Sequence, residues 1–299
     1  MSTHPTILIT GASGYIGKHL IANLKDSSCK VRTLTTNALT ANQQNIFYWN
    51  PEKGLIDEQC LLGVDYIINL AGANIGTGRW TKKRRAQIIN SRVKSTELLY
   101  DKVLNLNIAL KAYIGASAIG YYGTNKLGTQ FDENSPAGND FLAQVCVAWE
   151  NQSILFADAG YRTVIIRTGM ALSPEAPALK KMLQPIKLGI GGPIASGKQF
   201  IPWISIVDLC NIYLRAINDE SFAGIYNAVS PSTLTNYQLT KALAAKHGKP
   251  YFFPATPAWL LRILLGEMST LISEGNPVYP RRLLEANYSF VHQDIGEVI

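Results

Sequence analysis

A glycine-rich turn near the N-terminus constrains the fold of this chain more than any other stretch. The turn reads Thr10-Gly-Ala-Ser-Gly-Tyr-Ile-Gly17 and joins an apolar run, Thr6–Thr10, to a helix-like run, Tyr15–Lys25. Its three spaced glycines allow a tight turn, a close approach of phosphate to the backbone, and close packing of the helix on the strand. Free N–H groups at the start of a helix hold phosphate. The stretch therefore predicts the first strand–turn–helix unit of a dinucleotide-binding sheet.

The same turn supplies most of the predicted cofactor contacts. They are Gly11, Ala12, Ser13, Gly14, Tyr15, Ile16 and Gly17. The alternative is a glycine-rich turn without a ligand, but the strand before it and the helix after it favour a binding site.

Length and composition allow a large globular fold. The chain has 299 residues, of which 47% are hydrophobic and 16% are charged, as in proteins with a sizeable core. The net charge of +7 could attract nucleic acid, but the basic residues are dispersed except at Arg79–Arg85, and no nucleic-acid-binding module is recognisable. Anionic small molecules explain the charge as well, and we expect no nucleic-acid partner.

The cysteines and the hydropathy pattern predict a soluble, cytoplasmic protein without a metal site. The cysteines are Cys29, Cys60, Cys146 and Cys210. They are far apart and lack the spacing of metal ligands, so reduced thiols are expected. Met1–Pro5 shows no signal-peptide pattern. The most apolar late run, Trp259–Leu265, is too short to span a bilayer and contains Arg262, so we expect no membrane partner.

Strand-like and helix-like runs alternate along the chain. After the first strand and helix, strands are expected at Lys30–Thr36, Asp65–Leu70, Ala112–Ser117, Thr163–Arg167, Ile204–Val207 and Tyr226–Pro231. Helices are expected at Thr81–Leu104, Asp140–Asp158, Thr235–His247 and Pro257–Leu265. This alternation predicts an α/β fold, a Rossmann-type doubly wound parallel sheet with helices on both faces and a smaller C-terminal substrate or cap region.

The end of the second strand bears on the identity of the cofactor. An acidic residue about 20 positions beyond the glycine motif would hydrogen-bond a ribose 2′-OH. Thr35 and Thr36 stand there instead. With no carboxylate to repel a 2′-phosphate, and with hydroxyls able to bond it, NADP(H) is favoured over NAD(H).

Small residues end the strand Asp65–Leu70 and leave room for a cofactor at the sheet edge. Leu70, Ala71 and Gly72 are therefore candidate cofactor contacts. Ala116 and Arg167, near the ends of later strands, complete this set.

The basic stretch that begins at Arg79 leaves two interpretations open. Arg79 and Arg92 could meet a phosphate, or they could belong with Lys82–Arg85 to the solvated face of a long helix. We assign Arg92 to the cofactor and Arg79 to the substrate as candidates.

Hydroxyl groups follow the strand Ala112–Ser117 and are the candidate catalytic groups. Ser117 ends this strand and Tyr121 and Tyr122 come just after it, where they could face a reacting carbonyl or alcohol. The alternative is that they only shape the floor of the pocket.

A glycine-rich stretch, Leu188–Asp208, is a natural substrate loop that returns to the sheet through Ile204–Val207. Its candidate substrate contacts are Lys198, Gln199 and Trp203.

Three of these features together, Thr10–Gly17, Asn69–Gly72 and the strand end at Ser117, resemble the extended short-chain dehydrogenase/reductase superfamily. Further short sequence motifs narrow the resemblance to the atypical, YfcH-like "epimerase family protein" branch of this superfamily. They are Arg79-Trp-Thr, Ser91-Arg-Val, Ser117-Ala-Ile-Gly-Tyr-Tyr-Gly123, Trp149-Glu150, Gly191-Gly-Pro, Ser196-Gly-Lys-Gln199, Pro202-Trp-Ile204, Asn227-Ala-Val-Ser-Pro231 and Pro280-Arg-Arg-Leu. The resemblance implies a Rossmann fold over residues 1–248, bound NADP(H), and a branch-specific C-terminal segment, residues 249–299.

The chain departs from the catalytic pattern of that superfamily. There a Ser or Thr acts with a Tyr-x-x-x-Lys pair in which the lysine lowers the tyrosine pKa and the tyrosine moves a proton. Ser117 matches the first member, but Leu142 and Cys146 stand where the Tyr and Lys belong. Two other matches to the pattern, Tyr122 with Lys126 and Tyr237 with Lys241, lie outside the expected helix. Tyr121 or Tyr122 is therefore the candidate substitute acid.

Two functions compete on these grounds. The first is an NADP(H)-dependent oxidoreductase or epimerase acting on a small polar substrate, free or nucleotide-linked. The second is an NADP(H)-binding regulatory or scaffold protein without turnover, which the missing Tyr and Lys favour. A homodimer is compatible with either.

Overall fold

The protein is built around one large, mostly parallel sheet. The structure, a computed structural model, describes residues 4–25, 28–41, 43–124 and 129–299. The strands among them are β1 (Thr6–Thr10), β2 (Lys30–Thr35), β3 (Ile46–Asn50), β4 (Leu55–Ile56), β5 (Tyr66–Asn69), β6 (Ala112–Ala118), β7 (Thr163–Thr168), β8 (Met170–Leu172), β9 (Trp203–Ser205) and β10 (Gly224–Ala228). The α-helices among them are α1 (Tyr15–Lys25), α2 (Lys82–Asn105), α3 (Phe141–Asp158), α4 (Pro177–Lys187), α5 (Ile206–Asn218), α6 (Asn236–Lys246), α7 (Ala258–Leu265), α8 (Thr270–Ser273) and α9 (Arg281–Glu285).

The order of the strands creates a crevice beside β1. The eight-stranded sheet runs β10, β7, β6, β5, β1, β2, β3, β4, and all neighbours are parallel except β3 and β4. From β1 the chain moves outward through β2, β3 and β4, and it then returns to β5 on the other side of β1. In sheets of this kind, ligands bind outside the carboxyl ends of the strands at the point where the order reverses.

The apolar side chains of β1 explain why helices cover both faces of the sheet. Ile7 and Ile9 join a buried cluster with α1 and α5, whereas Leu8 joins a second cluster with α2 and α3. Successive side chains of a strand point to opposite faces, so a run that is apolar throughout must be covered on both sides.

A third apolar cluster is separate from the two that flank the sheet. It combines Leu183 of α4 and Leu243 of α6 with Val298 and Ile299 from the end of the chain. We call residues 176–201 and 234–265, which include α4, α6 and α7, the outer subdomain. The short strands β8 and β9 form a two-stranded parallel sheet of their own.

The predicted α/β fold is confirmed, although several elements differ from the prediction. Helices α4, α5, α8 and α9 and the strand β8 were not expected. Ile204–Val207 is not a strand of the large sheet, because the Ser205 hydroxyl accepts a hydrogen bond from the Asp208 N–H at 2.9 Å and caps α5, which begins at Ile206. Only β9 is extended there, and it pairs with β8. Strands β3 and β4 were not expected, although the aromatic run of β3 is typical of a strand.

Two kinds of feature are absent from the described ranges. None of the helices is both long and apolar enough to cross a membrane, and no group of three or more His, Cys, Asp and Glu side chains is positioned to hold a metal ion.

Candidate functional site

The turn between β1 and α1 has the tight geometry that its glycines predict. Gly11 has a φ of +65°, and a Cβ there would lie 2.7 Å from the Leu70 carbonyl oxygen. A Cβ at Gly17 would lie 2.5 Å from the Gly11 carbonyl oxygen. The Gly14 N–H donates to that same oxygen at 3.0 Å. A side chain at Gly11 or Gly17 would therefore push the turn away from β5 or from its own helix.

A buried polar clasp fixes the carboxyl ends of β1 and β5 against each other. The Thr10 hydroxyl donates to Asn69 Oδ1 at 2.6 Å and accepts hydrogen bonds from the N–H groups of Leu70 and Ala71 at 3.0 and 3.1 Å. The Asn69 amide in turn donates to the Tyr113 hydroxyl of β6 at 3.0 Å. The clasp holds Leu70 and Ala71 opposite the glycine turn, where both were predicted to line the cofactor crevice.

The start of helix α1 offers groups that can bind the phosphates of a dinucleotide. Ser13 and Gly14 are exposed just before α1, and Ala12, Tyr15 and Ile16 are half-buried beside them. The first N–H groups of a helix have no acceptor within the helix, so they can bind an anion that lies beyond its first turn. Outside its chain neighbours, a Cβ at Gly14 would meet one atom within 4 Å, the Gly11 carbonyl oxygen at 3.1 Å, so a ligand can approach the backbone there.

The end of β2 offers hydroxyl and N–H donors next to the crevice. The Thr35 hydroxyl lies 3.3 Å from the Thr40 hydroxyl and accepts a hydrogen bond from the Asn37 N–H at 3.1 Å, while Thr36 is exposed. The sequence has no carboxylate between residues 30 and 51. A phosphate at this edge would therefore meet donors and no acidic side chain.

Arg92 brings a positive charge beneath the loop that follows β5. Its Nη1 donates to the carbonyls of Ala73 and Ile88 at 3.2 and 2.9 Å, and its Cζ lies 4.9 Å from the Trp149 ring centroid. A Cβ at Gly72 would lie 2.9 Å from that Cζ. Burial lowers the pKa of Arg92, but an arginine remains charged near neutral pH.

Ser117 and Arg167 are bound to Glu150 of α3 in a buried network. Arg167 Nε and Nη2 donate to the two Glu150 carboxylate oxygens at 2.8 Å each, and the Ser117 hydroxyl donates to Glu150 Oε1 at 2.6 Å. All three residues are buried. Because a buried charge pair needs its hydrogen-bond partners, the Ser117 hydroxyl and the Arg167 guanidinium are committed to the interior. Ala116, one residue earlier on β6, is buried as well.

The two tyrosines after β6 differ in what their hydroxyls contact. The Tyr122 hydroxyl is buried, where it accepts from Arg167 Nη1 at 2.9 Å and donates to Asn227 Oδ1 at 2.7 Å. Burial raises the pKa of Tyr122 to about 12. Tyr121 is half-buried, with Arg167 Cζ 3.4 Å from its ring centroid, and its hydroxyl has no hydrogen-bond partner among the residues that the structure describes. Tyr121 is therefore the tyrosine whose hydroxyl is free to meet a ligand.

Leu142 and Cys146 face the turn after β6 from helix α3. A Cβ at Gly120 would lie 3.3 Å from Leu142 Cβ and 3.5 Å from Cys146 Sγ. Burial raises the pKa of the Cys146 thiol to about 12, so neither side chain can exchange a proton near neutral pH.

The two formal Tyr-x-x-x-Lys matches do not restore the missing pair at this point of the fold. Lys126, the partner of Tyr122, lies outside the described residues. Tyr237 and Lys241 lie on α6 of the outer subdomain, with Lys241 Nζ 5.7 Å from the Tyr237 ring centroid.

Two of the four predicted substrate contacts are exposed. The Arg79 guanidinium donates to the carbonyls of Ile263 and Leu264, with Nη2 3.1 Å from the Leu264 oxygen, so it fastens the end of α7 to the loop after β5. Lys198 is exposed and forms no ion pair within the described part of the chain.

The other two are buried. The Gln199 amide donates to the carbonyls of Ile194 and Ile272 at 2.9 Å each, which joins the loop before β9 to α8. Trp203 is fully buried in the cluster of the outer subdomain. Both side chains are therefore committed to the interior of the protein.

Glu150 and Asn227 were not among the predicted site residues, yet both organise the network beneath Tyr121. The sequence carries a signal for the first of them. Glu150 stands in the middle of the largely apolar α3, and Arg167 is the one charged residue of β7. Opposite charges in two neighbouring buried elements indicate an ion pair, because neither can be buried alone.

Known proteins share both the sequence and the fold of this chain. Residues 7–228 match the model of the "NAD dependent epimerase/dehydratase family", and residues 256–299 match the "Domain of unknown function (DUF1731)". An epimerase family protein of Mycobacterium leprae (strain TN) is 34% identical over 299 residues, which is 100% of this chain and 95% of the relative. The "Epimerase family protein SDR39U1 homolog, chloroplastic" of Arabidopsis thaliana is 32% identical over 302 residues, 98% of this chain and 85% of the relative.

A solved structure adds the comparison in three dimensions. The crystal structure of human epimerase family protein SDR39U1 (isoform 2) with NADPH has a TM-score of 0.87 and 29% sequence identity, over 98% of this chain and 97% of that chain. This chain therefore belongs to the NAD dependent epimerase/dehydratase family, an extended short-chain dehydrogenase/reductase family, and to its branch of epimerase family proteins with a DUF1731 region.

Proposed function

We propose that this chain binds NADP(H) in the crevice between β1 and β5. The observation that carries the proposal is the tight glycine turn at the start of α1, which packs so closely on the end of β5 that a Cβ at Gly11 would lie 2.7 Å from the Leu70 carbonyl oxygen. The NADPH in the structure of the human relative supports it. The hydroxyls of Thr35 and Thr36, in a stretch without a carboxylate, favour NADPH over NADH.

Different parts of the crevice would hold different parts of the dinucleotide. The N–H groups at the start of α1 would hold the pyrophosphate, and Thr35 and Thr36 would hydrogen-bond the 2′-phosphate. Arg92 would add a positive charge beside the loop after β5. A bound nicotinamide supplies hydride transfer, and what remains for the protein is to orient the substrate and to move a proton.

The proposed activity is that of an oxidoreductase or epimerase acting on a small polar substrate, free or nucleotide-linked. Tyr121 is the candidate acid, because its hydroxyl has no partner among the described residues while the hydroxyls of Ser117 and Tyr122 are bound in the interior. Lys198 is an exposed cation that can bind an anionic part of the substrate.

One observation favours a second candidate function, NADP(H) binding without turnover in a regulatory or scaffold role. Two of the three predicted catalytic hydroxyls are committed to the Glu150 and Asn227 side chains. Leu142 and Cys146 stand where the resemblance locates the proton-transferring pair. A dinucleotide held beside such groups would have fewer protein atoms to exchange protons with a substrate.

Titration of the purified protein with NADPH and with NADH, followed by nicotinamide fluorescence, separates these proposals. We expect tighter binding of NADPH, and equal affinity for NADH would overturn the assignment of Thr35 and Thr36. The loaded protein is then given a panel of carbonyl compounds and sugar nucleotides. Turnover that Tyr121→Phe abolishes supports the enzyme, whereas binding without turnover of any compound supports the regulatory role.

A further inference from the structure

The outer subdomain exposes large apolar side chains in one part of the molecule. None of the residues of α7 is buried, and Trp259 is 65% exposed. Phe252, just before this helix, is 75% exposed, and Leu188 at the end of α4 is 76% exposed. Single exposed apolar residues are ordinary, but a group of this size marks an interaction surface. The full set, which we call the apolar face, is Leu188, Ile190, Phe252, Phe253, Trp259, Ile263 and Leu264.

The two chain segments that carry the apolar face lie against each other. Ile194 and Thr256 form an isolated parallel β-bridge, and the Ala195 N–H donates to the Thr256 carbonyl at 2.9 Å. A Cβ at Gly192 would lie 2.7 Å from the Phe253 carbonyl oxygen. The loop after α4 and the loop before α7 therefore present one joined surface.

The same part of the chain has cations and no acidic residues. Residues 176–207 and 221–266 contain no Asp or Glu. Their cations are Lys180, Lys181, Lys187, Lys198, Lys241, Lys246, Lys249 and Arg262, and all are exposed. None of these eight pairs with a side-chain carboxylate within the described residues. The chain has 28 Lys and Arg against 21 Asp and Glu, so the remainder is close to neutral and the positive charge belongs to this region.

We propose that the apolar face and the cations of the same chain segments dock this protein on an anionic phospholipid membrane. Three of these cations, Lys187, Lys249 and Arg262, stand within three residues of a member of the face. Apolar and aromatic side chains beside a dense set of Lys and Arg are what a surface-bound protein needs, because the apolar groups enter the boundary of the acyl chains while the cations meet lipid phosphates. The expectation that the chain has no membrane partner depended on the absence of a spanning run. A face that lies on a membrane needs no such run.

The composition of the face favours lipid over other anionic or apolar partners. Nucleic acid would stack its bases on aromatic rings, and Phe252, Phe253 and Trp259 could serve, but the four other members of the face, Leu188, Ile190, Ile263 and Leu264, are aliphatic and offer no stacking surface. A second copy of the chain would bring these eight cations, of which Lys246 contacts the Ile299 main-chain oxygen, against the same eight of its partner.

The fluorescence of Trp259 can report contact between the apolar face and lipid. Of the five tryptophans only Trp259 is exposed, since the others are at most 8% exposed. Phosphatidylglycerol vesicles with brominated acyl chains should quench Trp259 fluorescence, and the protein should sediment with them. Phosphatidylcholine vesicles should do neither, and added salt should weaken the binding. Trp259→Phe should remove the quenching while the protein still sediments.

Matched variants locate the contact. Lys249→Gln with Arg262→Gln, and separately Phe252→Ser with Ile263→Ser, should each weaken vesicle binding by about tenfold or more. Lys53→Gln with Leu39→Ser removes an exposed charge and an exposed apolar group elsewhere and should leave binding unchanged. The proposal is overturned if phosphatidylglycerol vesicles do not bind, if all three double variants bind alike, if a single-stranded oligonucleotide displaces the protein from vesicles, or if Trp259 is covered by dimerisation at working concentration.

Discussion

At the scale of single residues, two glycines with the same φ allow the effect of a steric collision to be measured apart from the cost of a positive φ. Gly11 and Gly54 both have a φ of +65°. A Cβ at Gly11 would collide with the Leu70 carbonyl, whereas a Cβ at Gly54 would meet nothing within 4 Å. Any alanine in this region of φ costs about 1 kcal/mol, so the two substitutions share that cost and differ only in the collision.

We predict that Gly11→Ala weakens NADPH binding by tenfold or more, about 1.4 kcal/mol, while Gly54→Ala leaves it unchanged. The reason is that relief of the collision with Leu70 must move the turn, and with it the N–H groups that would hold the pyrophosphate. Fluorescence titration measures the affinities, and urea unfolding checks that both variants are folded. Equal affinities would contradict the location of the cofactor at this turn.

The buried Glu150–Arg167 pair allows a second test at this scale. Its two carboxylate contacts measure 2.8 Å each, and both side chains are almost wholly buried. Glu150→Gln or Arg167→Met alone leaves an uncompensated charge and should lower the free energy of unfolding by about 3 to 5 kcal/mol. The double variant leaves no uncompensated charge. We therefore predict that its loss in the free energy of unfolding, measured by urea unfolding, is clearly smaller than the sum of the two single losses. Additivity within about 0.5 kcal/mol would show that the two residues act independently.

The glycine turn could be predicted from sequence because its requirements are local. The sequence could not predict whether the candidate catalytic hydroxyls point into the crevice or into the interior. Ser117 stands at the end of a strand that points toward the crevice, which is all that the sequence shows. Successive side chains of a strand point to opposite faces, so the hydrogen-bond partner of the Ser117 hydroxyl depends on the element that packs on that face. That partner is Glu150, 33 residues later in the chain, and the contact forms only when α3 packs on β6.

At the scale of elements, the long helix α2 was located closely from its cap, whereas helices α4 and α5 were not predicted. Thr81 was predicted to cap the long helix α2, and its hydroxyl accepts a hydrogen bond from the Arg84 N–H at 3.2 Å. Helix α5 was missed because its beginning lies in Ile204–Val207, an apolar run that fits a buried strand as well as a helix. The Ser205 cap decides between them, and it acts only once Asp208 has turned into the helix.

Glu133 joins the strand β10 to the helix α9 and gives the fold a pH dependence. Its Oε1 accepts hydrogen bonds from the Asn227 N–H at 2.9 Å and the Arg282 N–H at 3.3 Å, while its Oε2 is buried without a partner in the described part of the chain. Burial raises the pKa of the Glu133 carboxyl. The folded protein therefore holds this proton more tightly than the unfolded chain does.

We predict that the stability of the natural protein relative to Glu133→Gln falls as the pH rises from about 4, the ordinary glutamate pKa, through the raised pKa of Glu133. A carboxyl with a raised pKa contributes its full stability below the pKa of the unfolded chain and loses it as the pH passes the raised value, while glutamine does not titrate. Urea unfolding at several pH values measures the difference. Glu220→Gln, an exposed acid, controls for the change in net charge. A difference that is flat or rises with pH would contradict the prediction.

At the scale of the whole molecule, the C-terminal region completes cores that the earlier residues begin. Leu283 and Phe290 lie in the cluster beneath the large sheet, and Val298 and Ile299 lie in that of the outer subdomain. The buried Asp208 carboxylate accepts hydrogen bonds from the N–H groups of residues 291 and 292 at 2.7 and 3.1 Å. Two family models divide the chain, but its apolar clusters cross that division.

We predict that a chain ending at Gly248 does not unfold in a single cooperative transition and does not bind NADPH. The truncation opens both apolar clusters and leaves the Asp208 carboxylate without two of its donors. Loss of one large core side chain costs about 3 to 5 kcal/mol, so full-length Phe290→Ala should be destabilised by that amount yet keep a cooperative transition and bind NADPH. Thermal and urea unfolding with fluorescence titration compare the three proteins. A truncated chain that melts cooperatively and binds NADPH would instead make residues 1–248 an independent domain.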